Sequence, residues 1–234
     1  MFANNIPEDA LEKPRFLAYA RVAGSRAGQG LAARPEEEML MLLLVVGLSI
    51  FFLGHLVPTQ PEVRNGLIRR FGERAYQGLF ALVALIGLAL IVAGYVKLQG
   101  LAGKNPQVWV PPAWTRHAAF VLMIPAMVLL AAAYVPSRIR TALQHPMLAA
   151  VKIWAFAHLI ANGDLASLLL FGSFLAYAVY DRISVKKRAA LGPLGVRKGS
   201  GLGDAMAVAA GLALYAFILF WGHGWLIGVP LVHL

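Results

Sequence analysis

The chain has 234 residues, of which 59% are hydrophobic and 14% charged, with a formal net charge of +10 and no cysteine. Soluble proteins average roughly 45–50% apolar and about 25% charged residues, so this composition predicts an integral membrane protein. The lack of cysteine excludes disulfides, thiolate metal sites, cysteine nucleophiles and covalent c-type haem attachment. The cations lie in loops between apolar segments, so we interpret them as orientation charges and lipid headgroup contacts, and we expect no nucleic-acid partner.

Residues 1–38 form a mixed-charge tail that ends in Pro35-Glu36-Glu37-Glu38, directly before the first apolar segment. The tail has no apolar stretch ahead of a small-residue cleavage site, which argues against a signal peptide. We interpret residues 1–38 as a disordered extension or as the product of a misassigned start, with the natural start at Met39 or Met41. Residues 39–230 then form the transmembrane domain.

Six apolar segments follow, and a helix needs about 20 such residues to cross a bilayer core about 30 Å thick. They are Met39–Val57, Tyr76–Tyr95, Trp114–Val135, Met147–Ala161, Leu165–Tyr180 and Ala205–Ile227. The runs are continuous rather than alternating, which argues against a β-barrel. We therefore predict an all-α, polytopic bundle of about six transmembrane helices.

Local signals refine this prediction. Pro125 predicts a kink in the third segment, and the fourth segment is short. Only three residues, Asn162-Gly163-Asp164, join the fourth segment to the fifth, which predicts a tight helical hairpin. Asp164 precedes the fifth segment and is predicted to cap its helix. Lysine and arginine concentrate in the loops after segments one, three and five, which predicts that these loops face the cytoplasm and both termini lie outside.

Ionisable residues inside membrane helices are costly, which makes the histidines functional candidates. The chain has six: His55, His117, His145, His158, His223 and His233. Histidine is a good axial ligand for haem iron, and two facing helices of a bundle can supply one each. His145 and His158 are separated by about 20 Å of helical rise, so they cannot bind one iron. Any ligand pair must therefore come from different helices.

Depth in the membrane suggests which histidines meet. Estimated depth places His55 at the level of His145, and His117 at the level of His158. Helix tilt would also bring His55 towards His158. Near the other segment ends, we interpret His117 and His223 as interfacial or hydrogen-bonded residues and assign no role to His233.

Two polar neighbours complete the set of cofactor-binding candidates. Lys152 shares a helix face with His145, and it either turns into the bundle or faces an anionic group such as a haem propionate. Asn162 lies four residues after His158 and is a candidate to orient the second ring nitrogen of that histidine.

The chain resembles the NnrU family of bacterial membrane proteins over roughly residues 39–230. The matching stretches are Gly54-His55-Leu56-Val57-Pro58, Phe71-Gly72-Glu73-Arg74-Ala75-Tyr76, Leu79-Phe80-Ala81-Leu82-Val83, His145-Pro146-Met147 and Trp154-Ala155-Phe156-Ala157-His158-Leu159-Ile160-Ala161-Asn162-Gly163-Asp164. The resemblance implies a protein of the bacterial inner membrane that is linked to nitrate, nitrite and nitric oxide use in denitrifying bacteria.

A related branch, the plant zeta-carotene isomerase, looks like a haem b enzyme that isomerises a cis double bond. Its haem histidines match His55 and His158, so the resemblance implies haem b bound by these two residues. That enzyme has a cysteine three residues before the second histidine, where this chain has Ala155. Ligand exchange through a thiolate is therefore not available here.

Two other functions stay open beside the haem protein. One is a cofactor-free membrane assembly or partner protein. The other is a membrane methyltransferase of the isoprenylcysteine type, because His145-Pro146 followed by Trp154 faintly resembles its Arg-His-Pro-x-Tyr motif. In that motif Gln144 replaces the arginine and Leu148 the tyrosine, and no Glu-Glu pair follows the fifth segment. The sequence leaves open whether the protein is an enzyme.

Overall fold

The structure, a computed structural model, describes residues 35–100, 105–190, 192, 194–195 and 197–232. Most of the predicted N-terminal tail and His233 lie outside these residues. The features below belong to the compact unit Met39–Leu234, together with the start of its first helix. Within the described ranges the chain is helical and contains no β-strand.

The helices occur in the following order. They are α1 (Pro35–Leu56), α2 (Pro61–Phe71), α3 (Glu73–Gly100), α4 (Ala113–Ala132), α5 (Arg138–Leu143), α6 (Pro146–Ala161), α7 (Leu165–Lys187), α8 (Gly201–Phe217) and α9 (His223–Ile227). A 3-10 turn, Val57–Thr59, follows α1, and a π-helical turn, Ile218–Gly222, joins α8 to α9.

Five stretches are long and apolar enough to cross a membrane. They are Glu38–Thr59, Glu73–Gly100, Ala113–Ala132, Leu165–Lys187 and Gly201–Ile227. The predicted fourth segment, α6, is apolar but has only 16 residues. At 1.5 Å per residue it rises roughly 24 Å, less than the thickness of a bilayer core. The prediction of an all-α, multi-pass bundle is confirmed, with five helices of spanning length and one shorter apolar helix.

Large apolar side chains cover the outside of these helices. Leu53, Leu85 and Val121 are 65%, 64% and 66% exposed, on α1, α3 and α4 respectively. Soluble proteins rarely expose contiguous apolar surface on this scale, whereas lipid tails favour it. The protein therefore belongs in a lipid bilayer.

Helix α2 differs from the sequence expectation, which treated this stretch as a loop. Pro61 occupies its first turn, where a missing N–H costs nothing, and the helix ends at Gly72 with a φ of 84°. Arg64, Arg69 and Arg70 make the helix polar, and none of its residues is buried. It is too short and too charged to cross a bilayer.

Glycines let α1 and α3 pack closely as an antiparallel pair. A Cβ atom on Gly47 would lie 2.7 Å from the Ile91 nitrogen, and one on Gly87 would lie 2.7 Å from the Phe51 nitrogen. A Cβ atom on Gly94 would likewise lie 2.8 Å from the Leu44 nitrogen. Small residues at such contacts are the usual means of packing membrane helices, because lipid tails offer no hydrophobic driving force between helices.

The remaining long helices pack against one another in a row. Helix α6 packs against α4 and α7, and α4 also packs against α8. Where α4 meets α8, a Cβ atom on Gly211 would overlap the backbone of Val128. Helix α6 therefore lies inside the bundle with a neighbour on two sides, which fits its short length.

The turn between α6 and α7 defines one end of the bundle, which we call the hairpin end. Asp164 caps α7, as predicted, by accepting a hydrogen bond from the Ser167 backbone N–H at 2.8 Å. The Asp164 carboxylate also accepts from the Gln99 side chain at 3.1 Å and from the Asn105 amide. One carboxylate thus joins α3, the segment before α4 and α7. The opposite end holds α2, α5 and the last turn of α7, and we call it the basic end.

We expect Gly87→Ala to lower the free energy of unfolding by about 1–3 kcal/mol, because the new methyl group meets the Phe51 backbone rather than a flexible side chain. The matched control is Gly78→Ala on the same helix, where nothing lies within 4 Å. That change should be neutral or stabilise by up to about 1 kcal/mol. Thermal unfolding in detergent measures both, and equal effects would contradict the close packing of α1 on α3.

We expect Asp164→Ala to lower the unfolding free energy by roughly 1–3 kcal/mol, since it removes a helix cap and leaves the Gln99 and Asn105 amides without their acceptor. Asp164→Asn keeps a capping oxygen and should lose less. Thermal unfolding of both variants tests this, and a wild-type transition for Asp164→Ala would show that the carboxylate is dispensable.

Candidate functional site

His158 lies near the end of α6, with its ring held from two sides. Its Nδ1 lies 2.8 Å from the Trp154 carbonyl oxygen, one turn earlier on the same helix. A carbonyl can only accept, so Nδ1–H is the donor, which fixes the tautomer. The ring also stacks on Phe171 of α7, with centroids 4.4 Å apart. The second ring nitrogen, Nε2, therefore carries an unprotonated lone pair in the neutral imidazole.

His55, near the end of α1, repeats this arrangement at the basic end of the bundle. Its Nδ1–H donates to the Phe51 carbonyl at 2.7 Å, and its ring stacks on the Phe51 ring with centroids 4.0 Å apart. The rings of Phe80 and Tyr177 lie beside it. The Tyr177 hydroxyl donates to the His55 carbonyl at 2.9 Å. His55 thus also presents a free Nε2.

Aromatic rings lie between His55 and His158. Phe51, which stacks on His55, is 5.4 Å from Phe174, and Phe174 is 5.4 Å from Trp154, which borders His158. Along α7, His158 meets residue 171 and His55 meets residue 177, roughly 9 Å of helical rise apart. The pairing of these two histidines on one iron, which the family resemblance implies, stays a prediction.

The imidazole that the structure brings to His158 belongs to His223. The two ring centroids are 6.5 Å apart, and the ring planes are parallel within 14°. The Nδ1–H of His223 donates to the Val229 carbonyl at 2.6 Å, so its Nε2 is also free. Sequence reasoning assigned His223 only an interfacial or hydrogen-bonded role. In the sequence, the signal for His223 was its position in the last apolar segment. Which residue lies next to His223 depends on how the helices pack.

A cavity of about 100 Å³ includes both of these histidines in its wall. Helix α4 contributes Phe120, Met123 and Met127 to the wall, and α6 contributes His158. The π-helical turn contributes Leu219, and α9 contributes His223. The lining is apolar apart from the two imidazoles, the Tyr215 hydroxyl and Arg116, whose side chain is exposed.

His145 is located away from this cavity. It directly precedes α6 at the basic end and lines a second cavity of about 360 Å³ with Arg140, Lys186 and Arg197. Partial burial lowers the pKa of the His145 imidazole below 6.5, which favours its neutral form. The depth estimate that placed His55 and His145 towards the same end of the bundle agrees with the structure.

The other polar candidates contribute less than expected. Asn162 does not orient the His158 ring: its amide donates to the His158 backbone carbonyl at 2.9 Å, and Trp154 holds the ring instead. This corrects the role predicted for Asn162, and the reason is that the carbonyl one turn earlier is the nearer acceptor for Nδ1–H. Lys152 is half-buried and lines neither cavity. His117 is exposed at the start of α4.

The donor set around the first cavity fits haem b. An imidazole offers a nitrogen lone pair to iron, and a porphyrin supplies the remaining iron ligands itself. The apolar walls suit the macrocycle, and the Arg116 guanidinium suits an anionic substituent. Across the described residues, no group of three or more histidine, cysteine or acidic side chains is placed to hold a metal ion.

Comparison with known proteins identifies one family. The profile of the NnrU protein family matches residues 43–231, which include most of the first spanning stretch, all of the other four, and His55, His158 and His223. No curated protein and no solved structure matches the chain significantly. Because the match covers most of the sequence and the described structure is an apolar helical bundle, this chain belongs to the NnrU family of membrane proteins.

Proposed function

We propose that this protein binds haem b in the bacterial inner membrane through its intramembrane histidines. The observation that supports this most directly is the position of His158 on the wall of the first cavity, with a second imidazole whose ring centroid is 6.5 Å away. His55, His158 and His145 are the ligand candidates from the sequence, and the cavity favours His158 among them.

Each part of the cavity contributes to cofactor binding by a known physical effect. The Trp154 carbonyl accepts the Nδ1 proton of His158, which orients the ring and raises the basicity of Nε2. Phe120, Met123 and Leu219 exclude water and favour burial of an apolar ring system, by roughly 25 cal/mol per Å² of surface. Bound haem supplies one-electron and ligand-binding chemistry at iron.

The wider role follows from the family resemblance. It links the protein either to nitrogen-oxide metabolism or to a redox-type isomerase. An apolar cavity that opens among lipid-facing helices suits a hydrophobic substrate or a small uncharged gas. A redox partner is the further partner that this role implies, besides the lipid bilayer itself.

The charge distribution supports one orientation. Arg64, Arg69 and Arg70 on α2 and Lys186 and Lys187 at the end of α7 lie at the basic end. We propose that this end faces the cytoplasm and that both termini lie outside.

The second cavity bears on the methyltransferase alternative. Gln144 and His145, which occupy the positions of the motif, line that cavity, so a polar ligand has room there. Its charged lining residues, however, are Arg140, Lys186 and Arg197. Cationic side chains oppose the sulfonium of S-adenosylmethionine, so we rank this function below haem binding.

The test is the absorption spectrum of detergent-purified protein, oxidised and then dithionite-reduced, after expression with haem supply. We expect a Soret band with sharp reduced α and β bands. His158→Ala should lower haem content at least about tenfold, since loss of supporting contacts alone costs about 10–100-fold in metal affinity. The matched control, His145→Ala, changes the histidine at the other end of the same helix and should keep wild-type haem content.

A featureless spectrum from well-folded wild-type protein would overturn the proposal and leave a cofactor-free partner role. Saturable binding of S-adenosylmethionine, lost in His145→Ala, would favour the methyltransferase instead. His55→Ala, measured in parallel, decides whether His55 is also a ligand.

A further inference from the structure

We infer that the second cavity, at the basic end of the bundle, binds a phosphate group through the buried Arg140 and the exposed Lys186 and Arg197. This site is separate from the histidine cavity, and it does not depend on the haem proposal. The phosphate belongs either to a soluble phosphate ester or to the headgroup of an anionic phospholipid, because both present the same charged oxygens.

Arg140 is a buried cation in the wall of this cavity. It is 5% exposed, and its two terminal nitrogens donate to the backbone carbonyls of Gly195, at 3.1 Å, and Arg197. Its Nε is also buried and has no hydrogen-bond partner among the described residues. The two carbonyls hold the guanidinium in place, but they do not neutralise it. Because a buried charge is costly unless an opposite charge pairs with it, this arrangement points to an anionic ligand.

The protein does not supply that opposite charge from the acids closest in sequence to the cations of α7 and the chain after it. These acids are Asp181, which pairs with Arg188 at 3.3 Å, and Asp204, which accepts the Ile139 backbone N–H at 3.1 Å. Neither of them lines the cavity, and its described wall contains three cations and no acid. The cavity therefore has a positive potential that attracts anions.

The charge and size of the cavity favour a phosphate group. Guanidinium and ammonium groups are common phosphate partners in proteins, and a phosphate monoester carries up to about two negative charges for three cations to share. The cavity volume of about 360 Å³ is within the range of about 300–1,000 Å³ that holds small ligands. It therefore has room for a phosphate and part of the group that carries it.

The backbone of the cavity wall has an unusual conformation. Among the residues that the structure describes, two that are not glycine have a positive φ, Gln144 at 62° and Ala189 at 48°. Both line this cavity. Such conformations are unfavourable for a residue with a Cβ atom, and they cluster at binding sites, where the surrounding structure maintains them. Their position at one cavity supports a binding role for it.

The cavity lies where a lipid headgroup can reach it. Val185 and Lys186 in its wall belong to the last turn of α7, a helix of spanning length, so they lie at the level of the headgroups. Basic pockets between helices at this level bind anionic headgroups. The preference for cations in cytoplasmic loops accounts for exposed residues such as Lys187. It does not account for a cation as buried as Arg140.

The test compares Lys186→Gln with Lys187→Gln. Both remove one exposed positive charge from the last turn of α7, but only Lys186 lines the cavity. We expect Lys186→Gln to weaken phosphate binding about tenfold, since it removes a charge-assisted hydrogen bond. Lys187→Gln should change the affinity less than about twofold, because exposed charges outside the site are screened by salt. Arg197→Gln and its neighbour Lys198→Gln form a second pair with the same expectation.

Two probes identify the source of the phosphate. Isothermal titration calorimetry of the full chain in detergent, at constant ionic strength, measures binding of inorganic phosphate. Native mass spectrometry after incubation with phosphatidylglycerol or phosphatidylcholine measures retention of an anionic lipid against a zwitterionic one. Binding of inorganic phosphate indicates a soluble phosphate ester. Preferential retention of phosphatidylglycerol, without binding of inorganic phosphate, indicates a lipid headgroup. Either result supports the site when Lys186→Gln reduces it and Lys187→Gln does not.

Two results would overturn the inference. Equal losses for Lys186→Gln and Lys187→Gln would show that the probes respond to surface charge rather than to a site. A folded wild type that binds neither inorganic phosphate nor phosphatidylglycerol would show that the cavity takes no phosphate. Arg140→Gln also breaks the bonds to the Gly195 and Arg197 carbonyls, so the exposed cations carry the test. Neither probe involves haem, so a wild type that binds phosphate but no haem supports this site and contradicts only the proposed function.

Discussion

A polar atom among lipid tails must find its hydrogen-bond partner within the protein, and this constraint shapes the histidine site. His55 and His158 each donate Nδ1–H to the carbonyl one turn earlier on their own helix, and the Ser49 hydroxyl does the same towards Val45. An unpaired polar group in a bilayer costs several kcal/mol, so a hydrogen bond to the nearest backbone carbonyl is the most favourable arrangement. The consequence is chemical: with one nitrogen satisfied by the backbone, each ring presents its other nitrogen as a base or a metal ligand.

Helix packing then decides where these nitrogens lie. Helix α6 is too short to cross a bilayer alone, but it lies between α4 and α7, and the capped turn at Asp164 fixes its end. Glycines bring α1 onto α3 and α8 onto α4 at backbone contact. Close packing of small residues leaves little freedom for helices to rotate, so the faces that carry His158 and His223 are set by contacts made several turns away.

The sequence predicts the helical segments, the hairpin and the Asp164 cap because each depends on local signals: apolar length, a three-residue turn and a capping side chain. It does not predict helix α2, because the residues of α2 are as polar as those of a typical loop. It also does not predict the π-helical turn before His223, because amino-acid composition does not indicate such turns. It also misses the neighbour of His158. Which histidines meet depends on helix rotation and packing, and a single sequence does not encode these in any local pattern. Depth alone therefore suggested His117, which the structure leaves exposed.

Three histidines thus each donate Nδ1–H to a backbone carbonyl, but they differ in what surrounds the other ring nitrogen. The ring of His55 is packed by Phe51, Phe80 and Tyr177 and lines neither cavity, whereas His158 and His223 share the wall of one. A lone pair makes a histidine able to bind a metal, but only space in front of it allows a cofactor to enter. Since all three rings meet the first condition, the cavity is the property that distinguishes His158 and His223 from His55. The role of such a site in the membrane would then depend on what reaches the same cavity from the lipid side.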